Sequence, residues 1–266
     1  MKEVIFKNKK VFYRVEGQGN PVMLIHGFAE DGSIWNHQVE NLKQKFQFII
    51  PDLPGSGSSE MLEGKTSMSD YADVVKAIAD VEIKKASVSF TIIGHSMGGY
   101  VSLAFAEKYP EKINGIGLFH STSFADDDQK KDMRNKGIGF IQNNGAATFL
   151  KNTSPNLFSQ KTKKENPALV ENLIELSKKF AADSLIQYYE AMRDRPDRSY
   201  VLKSFERPVL FIQGLHDTAV PLKSGLEQAH LAPVTYFEIL KDSGHMGMWE
   251  DAPTATTVLD NFLMQL

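Results

Sequence analysis

Apolar and polar residues alternate between two rhythms along this chain. Two opening runs, Glu3–Lys7 and Lys10–Val15, are rich in β-branched and aromatic residues and are separated by Asn8-Lys9, a pattern that predicts a hairpin. Pro21-Val22-Met23-Leu24-Ile25 is apolar without interruption and ends at His26-Gly27, as expected of a central strand buried on both faces. Helical spacing over 35–46 follows, then a strand at Phe48-Ile49-Ile50 running into the turn Pro51-Asp52-Leu53-Pro54-Gly55. A helix is predicted near 68–80, with Ser67 or Ser69 as N-cap. Phe90–Ile93 reads as a strand, Met97–Tyr109 as a helix stopped by Pro110, and Ile113–Phe119 as a strand. This alternation predicts a mostly parallel sheet with helices on both faces. Between about 124 and 205 only helical patterns occur, with turn signals at Asn143-Asn144-Gly145 and Ser154-Pro155-Asn156. The strand rhythm returns at Pro208–Ile212 and Val234–Leu240, and a last helix over 253–265 carries Pro253 early, where proline is tolerated. The expected organisation is one α/β core made of 1–123 and 206–266, with 124–205 inserted as a helical cap.

Composition narrows the function classes. The 266 residues, 42% of them hydrophobic, suffice for one elaborated α/β domain with a sizeable core. Thirty basic against 33 acidic residues leave a net charge of −3, which argues against nucleic acid or an anionic membrane as partner. The chain has no cysteine, so disulfides, thiolate catalysis and cysteine-ligated zinc are excluded. The N-terminal residues Met1–Lys10 hold no apolar run of signal-peptide length, and a cytoplasmic location is expected.

The chemistry concentrates in Gly94-His95-Ser96-Met97-Gly98, a G-x-S-x-G match that leaves a strand and opens a helix. A glycine-rich turn with an incidental serine is the bland alternative, and the flanking elements weigh against it. A serine hydroxyl needs a base within hydrogen-bond reach and a carboxylate to orient that base. His245 and Asp217 each lie just beyond an apolar strand, in Ser243-Gly244-His245-Met246 and Gly214-Leu215-His216-Asp217. Loops at the carboxyl ends of strands face the ligand crevice of α/β proteins. Acyl-transfer intermediates also need preorganised N–H donors, for which the backbone groups of Met97 and Phe28 are the candidates.

These segments, with Asp52-Leu53-Pro54-Gly55-Ser56-Gly57-Ser58, together resemble the α/β-hydrolase superfamily. The likeness is greatest to small bacterial carboxylesterases, enol-lactone hydrolases and biotin-pathway methyl esterases. It implies the α/β-hydrolase fold and a triad in the chain order Ser96, Asp217, His245. Some relatives place the acid after the strand preceding the cap; here that site reads His120-Ser121-Thr122-Ser123, without a carboxylate before Asp126. Many relatives read PGHGxS where this chain has Pro54-Gly55-Ser56-Gly57-Ser58, a change expected to alter a structural hydrogen bond.

The resulting expectation is a serine hydrolase that cleaves a small carboxylic ester through an acyl-enzyme, without cofactor or metal. Lactone, thioester or C–C bond hydrolysis and cofactor-free perhydrolysis would use the same triad. A low-turnover ligand-binding or sensor protein is the alternative of another class. Gly27, His95 and His120 are expected at the substrate pocket beside Phe28 and Met97. His26 is read as structural, and Arg193, Arg195 and Arg198 as a solvated charged face paired with Asp194 and Asp197. The expected partner is a small ester or related acyl substrate, with no nucleic acid and no membrane, and the chain a monomer or homodimer.

Overall fold

A computed structural model describes residues 1–84 and 88–266. It opens with the expected hairpin, β1 (Lys2–Phe6) and β2 (Lys9–Gly17). Lys7 and Asn8 both take positive φ, 47° and 61°, the twist a two-residue hairpin turn requires. There follow β3 (Asn20–Ile25), α1 (Asn36–Leu42), β4 (Phe46–Pro51), α2 (Met68–Glu82), β5 (Phe90–His95), α3 (Met97–Lys108) and β6 (Ile113–Phe119). Next come α4 (Asp128–Asn144), α5 (Ala146–Thr153), α6 (Gln160–Glu165), α7 (Pro167–Ser177), α8 (Ala182–Arg193) and α9 (Ser199–Ser204). The chain closes with β7 (Val209–Gly214), α10 (Leu222–Ala229), β8 (Thr235–Leu240), α11 (Gly247–Glu250) and α12 (Ala252–Leu263).

The eight strands form one sheet in the order β1-β2-β4-β3-β5-β6-β7-β8. Only the β1/β2 and β2/β4 pairs are antiparallel. From β4 to β8 every neighbouring pair is parallel. Six strands therefore deliver their carboxyl ends to one edge. After β3 the chain turns outward to β4, then returns to place β5 on the other side of β3, so the strand order reverses there and opens a crevice.

Period-two burial explains the layers. On β3, Met23 and Ile25 join one apolar cluster with Val74, Val101 and Phe105 of α2 and α3. Val22 and Leu24 join the other, with Val39 of α1 and Phe262 of α12. Helix α2 is fixed at its start by a capping box, in which the Ser67 hydroxyl accepts from Asp70 N and Asp70 accepts from Ser67 N. Helix α1 is shorter than the apolar spacing over 35–46 suggests, because Phe46 enters the parallel ladder opposite Asn20 and is buried there.

Between β6 and β7 the described residues hold helices and no strand. Their apolar faces continue the two clusters of the sheet. Leu185, Tyr188 and Met192 of α8 join the first, and Val170 and Leu173 of α7 join the second with Phe158. The Tyr188 hydroxyl donates to Pro54 O (2.7 Å) and meets Ser56 Oγ (3.0 Å), which itself donates to Glu30 O. Ser56 thus ties its own loop to the Glu30 loop and to α8. Among the described residues, no helix is long and apolar enough to cross a membrane.

Candidate active site

The sharp turn at the end of β5 follows from its glycines. A Cβ at Gly94 would overlap the Gly98 carbonyl, and one at Gly98 would overlap the Ile25 carbonyl of β3. With both side chains absent, the chain reverses into α3 with Ser96 at φ 50° and ψ −115°, a conformation costly for a non-glycine residue. The surroundings hold it there. Ser96 N donates to Phe119 O (2.9 Å), and Ser96 O accepts from Gly99 N (3.0 Å) and Ser121 Oγ (2.7 Å).

His245 and Asp217 meet beside this turn. His245 Nδ1 lies 2.7 Å from Asp217 Oδ2, and both residues are buried. The other carboxylate oxygen, Oδ1, accepts from Ala219 N (2.8 Å) and Val220 N (2.9 Å). Burial alone would raise the Asp217 pKa, but the charge and hydrogen bond of His245, with His120, hold it well below the usual carboxylate range. Burial alone would lower the His245 pKa; the Asp217 charge and hydrogen bond outweigh it and raise the value. The structure thus brings His245 to Asp217 and places Ser96 and His245 on one pocket. It records no hydrogen bond between Ser96 and His245 among the described residues; such contacts often tighten only with substrate in place.

A second buried pair braces the histidine loop. His95 contacts Glu30 Oε2 through Nδ1 (2.9 Å) and the His245 carbonyl through Nε2 (2.9 Å). Glu30 also accepts from Gly27 N (2.6 Å). Burial pushes the Glu30 carboxyl up, and His95 with the Gly27 N–H more than reverses this, so the net direction is down. His26 is structural, as expected: Nε2 accepts from Leu53 N (2.9 Å) and Nδ1 faces Gly27 O (2.8 Å).

The pocket beside Ser96 has a volume of about 130 Å³ and is lined by Phe28, Glu30, Ser96, Tyr100, Arg134, Leu157, Tyr189, Met192, Ala219, Val220 and His245. A larger open groove of about 630 Å³, between His37, Leu176 and Trp249, contains none of these residues. Four expected pocket residues, Gly27, His95, Met97 and His120, are not in the lining. Gly27 gives its N–H to Glu30, while His95 and His120 are fully buried with their ring nitrogens facing carboxylate and backbone groups. His120 instead packs beneath the acid, with Nδ1 3.3 Å from Asp217 Oδ2. Its nitrogens also face Gly214 N (3.0 Å) and Gly247 N (3.2 Å). Burial lowers its pKa to about 4 despite Asp217, so the ring is neutral near pH 7. His120, Asp217 and His245 bring potential metal-ligand atoms within 4.8 Å of one another. Those atoms already face one another and backbone N–H groups.

Phe28 lines the pocket with Ser96, whereas Met97, next in the chain after Ser96, is fully buried outside the lining; neither N–H takes part in the loop backbone hydrogen bonds among the described residues. The Phe28 ring stacks on Tyr189 at 4.4 Å, which fixes its loop against α8. The reading of three arginines as a solvated face holds only for Arg193, which is paired with Asp194 (2.8 Å). Arg195 and Arg198 are 6% and 5% exposed and pair with Asp126 (2.7 Å) and Glu107 (2.9 Å). Their partners are remote in sequence, so local charge pairing misled. Sequence reasoning also missed Glu30, Tyr100, Arg134, Tyr189 and Met192. Glu30 and Tyr100 were within reach, one two residues beyond Phe28 and the other one helical turn beyond Ser96.

A family model described as the alpha/beta hydrolase fold matches residues 20–252. A 2-hydroxy-6-oxononadienedioate/2-hydroxy-6-oxononatrienedioate hydrolase of Paraburkholderia phymatum is 27% identical, over 96% of this chain and 91% of its own. A thermophilic esterase from Thermogutta terrifontis, solved with malate bound, superposes with a TM-score of 0.93 at 25% identity, covering 99% of this chain and 98% of that one. The enol-lactonase from Burkholderia xenovorans superposes with a TM-score of 0.90 at 21% identity, over 99% of this chain and 100% of that one, a likeness of fold.

Proposed function

This chain belongs to the alpha/beta hydrolase fold family, and we propose that it is a serine hydrolase acting on small carboxylic esters. The observation that carries the reading is the buried His245–Asp217 hydrogen bond of 2.7 Å at a pocket that also contains the strained Ser96 turn. Ser96 Oγ attacks the ester carbonyl carbon while His245 Nε2 takes the hydroxyl proton. Asp217 stabilises the imidazolium through Nδ1–H and keeps Nε2 free to accept. The Met97 and Phe28 N–H groups receive the oxyanion of the tetrahedral intermediate. Collapse breaks the carbonyl–alkoxy bond, His245 returns its proton to the leaving alcohol, and Ser96 is left acylated. Water then attacks the acyl carbon with His245 as base, releasing the acid and restoring the serine. Residues 124–205 act as the cap that closes the pocket through Arg134, Leu157, Tyr189 and Met192. Pocket volume favours a short acyl chain, since 130 Å³ lies below the usual range of drug-sized sites.

A panel of short-chain esters, assayed with wild type and Ser96→Ala, tests the reading. Turnover should appear on acetyl to butyryl esters and fall by several orders of magnitude in the variant. Absence of turnover across the panel, or equal rates in both proteins, refutes it. The relative named for dienedioate cleavage raises C–C hydrolysis as a second reading with the same triad. A preference for a vinylogous 1,5-diketone over every ester of the panel would select it.

A further inference from the structure

One charge at the pocket is not balanced by its neighbours. Arg134, on α4, lines the pocket with Ser96 and His245, and its side chain is only 18% exposed. Its Nε donates to Asp126 Oδ2 (2.5 Å). Asp126 is fully buried at its side chain and is shared with Arg195, whose Nη1 stands 2.7 Å from Oδ1. Arg195 is otherwise committed: its amino groups donate to Met192 O (2.7 Å) and Phe124 O (2.9 Å), and its guanidinium lies 3.9 Å from the Tyr100 ring centre. Two guanidinium groups thus share one carboxylate, which leaves the cluster one positive charge in excess. The two terminal amino groups of Arg134 make no hydrogen bond among the described residues. The group lies over the Tyr189 ring, 5.3 Å from its centre, which supports the cation on one side without offering an acceptor. Glu30, the other acid of the lining, is held by Gly27 N and His95 and forms no ion pair with Arg134.

An unbalanced, largely desolvated cation is unfavourable unless an anion completes it. A guanidinium whose Nε is occupied still presents donors suited to a planar carboxylate. We propose that the terminal amino groups of Arg134 form a carboxylate-binding subsite, so that the preferred substrate is a short ester carrying a second, free carboxylate. This rests on the serine hydrolase reading and narrows its substrate class to half-esters of short dicarboxylic acids or esters of short hydroxy acids. Both place one carboxylate a few atoms from the scissile carbonyl, and the small pocket accommodates little more.

The test compares kcat/KM for shape-matched pairs. On the acyl side, methyl hydrogen succinate is set against methyl 4-methylpentanoate and methyl succinamate. On the alcohol side, 3-acetoxypropionate is set against isopentyl acetate. A hydrogen-bonded ion pair predicts a preference for the anion of about ten- to a hundredfold in one of the two pairs. Arg134→Met should abolish that preference, and Arg134→Lys should keep part of it. The Asp126–Arg195 pair remains in both variants, and a thermal melt checks that they fold. If the methionine variant fails to fold, the wild-type ratio of methyl hydrogen succinate to methyl succinamate decides the acyl arm. Wild-type indifference to the carboxylate in both arms, or a preference that survives Arg134→Met, overturns the subsite. Turnover of neutral esters lost in Ser96→Ala but without carboxylate preference would sink the subsite alone. Absence of Ser96-dependent turnover on all these esters would sink the underlying hydrolase reading with it.

Discussion

Replacing Asp217 by asparagine separates its role in orienting His245 from its role in the loop. The structure dictates how the new amide must sit. Oδ1 accepts from Ala219 N and Val220 N at 2.8 and 2.9 Å, so the amide oxygen takes that place. The NH2 group then faces His245 Nδ1, where the carboxylate now stands at 2.7 Å. Nδ1 must become the acceptor, which puts the imidazole proton on Nε2, the atom that should receive the Ser96 proton. The wrong tautomer and the lost stabilisation of the imidazolium together predict a fall in kcat on the order of 10⁴-fold, roughly 5 kcal/mol of barrier. Shape and two of the loop hydrogen bonds are preserved, so the variant should keep its fold. Hydrolysis of p-nitrophenyl acetate at saturating substrate, beside a circular dichroism melt, reads the two effects separately. A folded Asp217→Asn protein with kcat within tenfold of wild type would refute the assignment of the acid. Glu30, coupled to the His245 carbonyl through His95, would then be the next acid to test.

The titrations of His245, Asp217 and His120 set the pH dependence of activity and stability. kcat/KM should rise with pH through a raised His245 pKa, above the ordinary value of about 6.5, because only the neutral ring accepts the proton. The His245 contribution to stability runs the other way: complete below the unfolded value and lost as pH rises through the folded one, so activity and melting temperature should diverge there. Asp217, whose folded pKa is depressed, contributes stability above its unfolded value of about 3.9 that is lost on further acidification. His120, lowered to about 4, adds a loss of stability between about pH 6.5 and 4. An acid limb that begins only below pH 4 would contradict the buried neutral His120. Separately, Gly98→Ala should lower stability by about 1–3 kcal/mol or more, since its Cβ meets the β3 backbone rather than a side chain that can move. Denaturant unfolding at the wild-type midpoint would refute that packing argument.

The parts of the molecule legible in the sequence depend on local pattern. β3, β5 and β7 are buried on both faces and read as short apolar runs. Ser96 and Asp217 are legible as candidates because each sits just past such a run, and His245 because it follows β8, all at the edge where the parallel strands end. What escaped depends on contacts across long stretches of chain. Arg134 reaches the pocket from α4 only because α4 packs against α8, and the charge-rich sequence around it resembles an exposed helix face. Asp126 opens the charged run Asp126-Asp127-Asp128, yet it is buried between Arg134 and Arg195. His120 follows β6 as a pocket residue would, but its own positive φ of 50° accompanies a ring placed under Asp217 instead of over Ser96.

An activated nucleophile at Ser96 should react covalently with a phosphorylating reagent. Intact-protein mass spectrometry after brief exposure to a fluorophosphonate tests it most directly, with peptide mapping to locate the adduct. One adduct per chain is expected, on Ser96, absent in Ser96→Ala and formed far more slowly in Asp217→Asn. An unmodified wild-type protein, or an adduct that maps elsewhere and persists in Ser96→Ala, would contradict it.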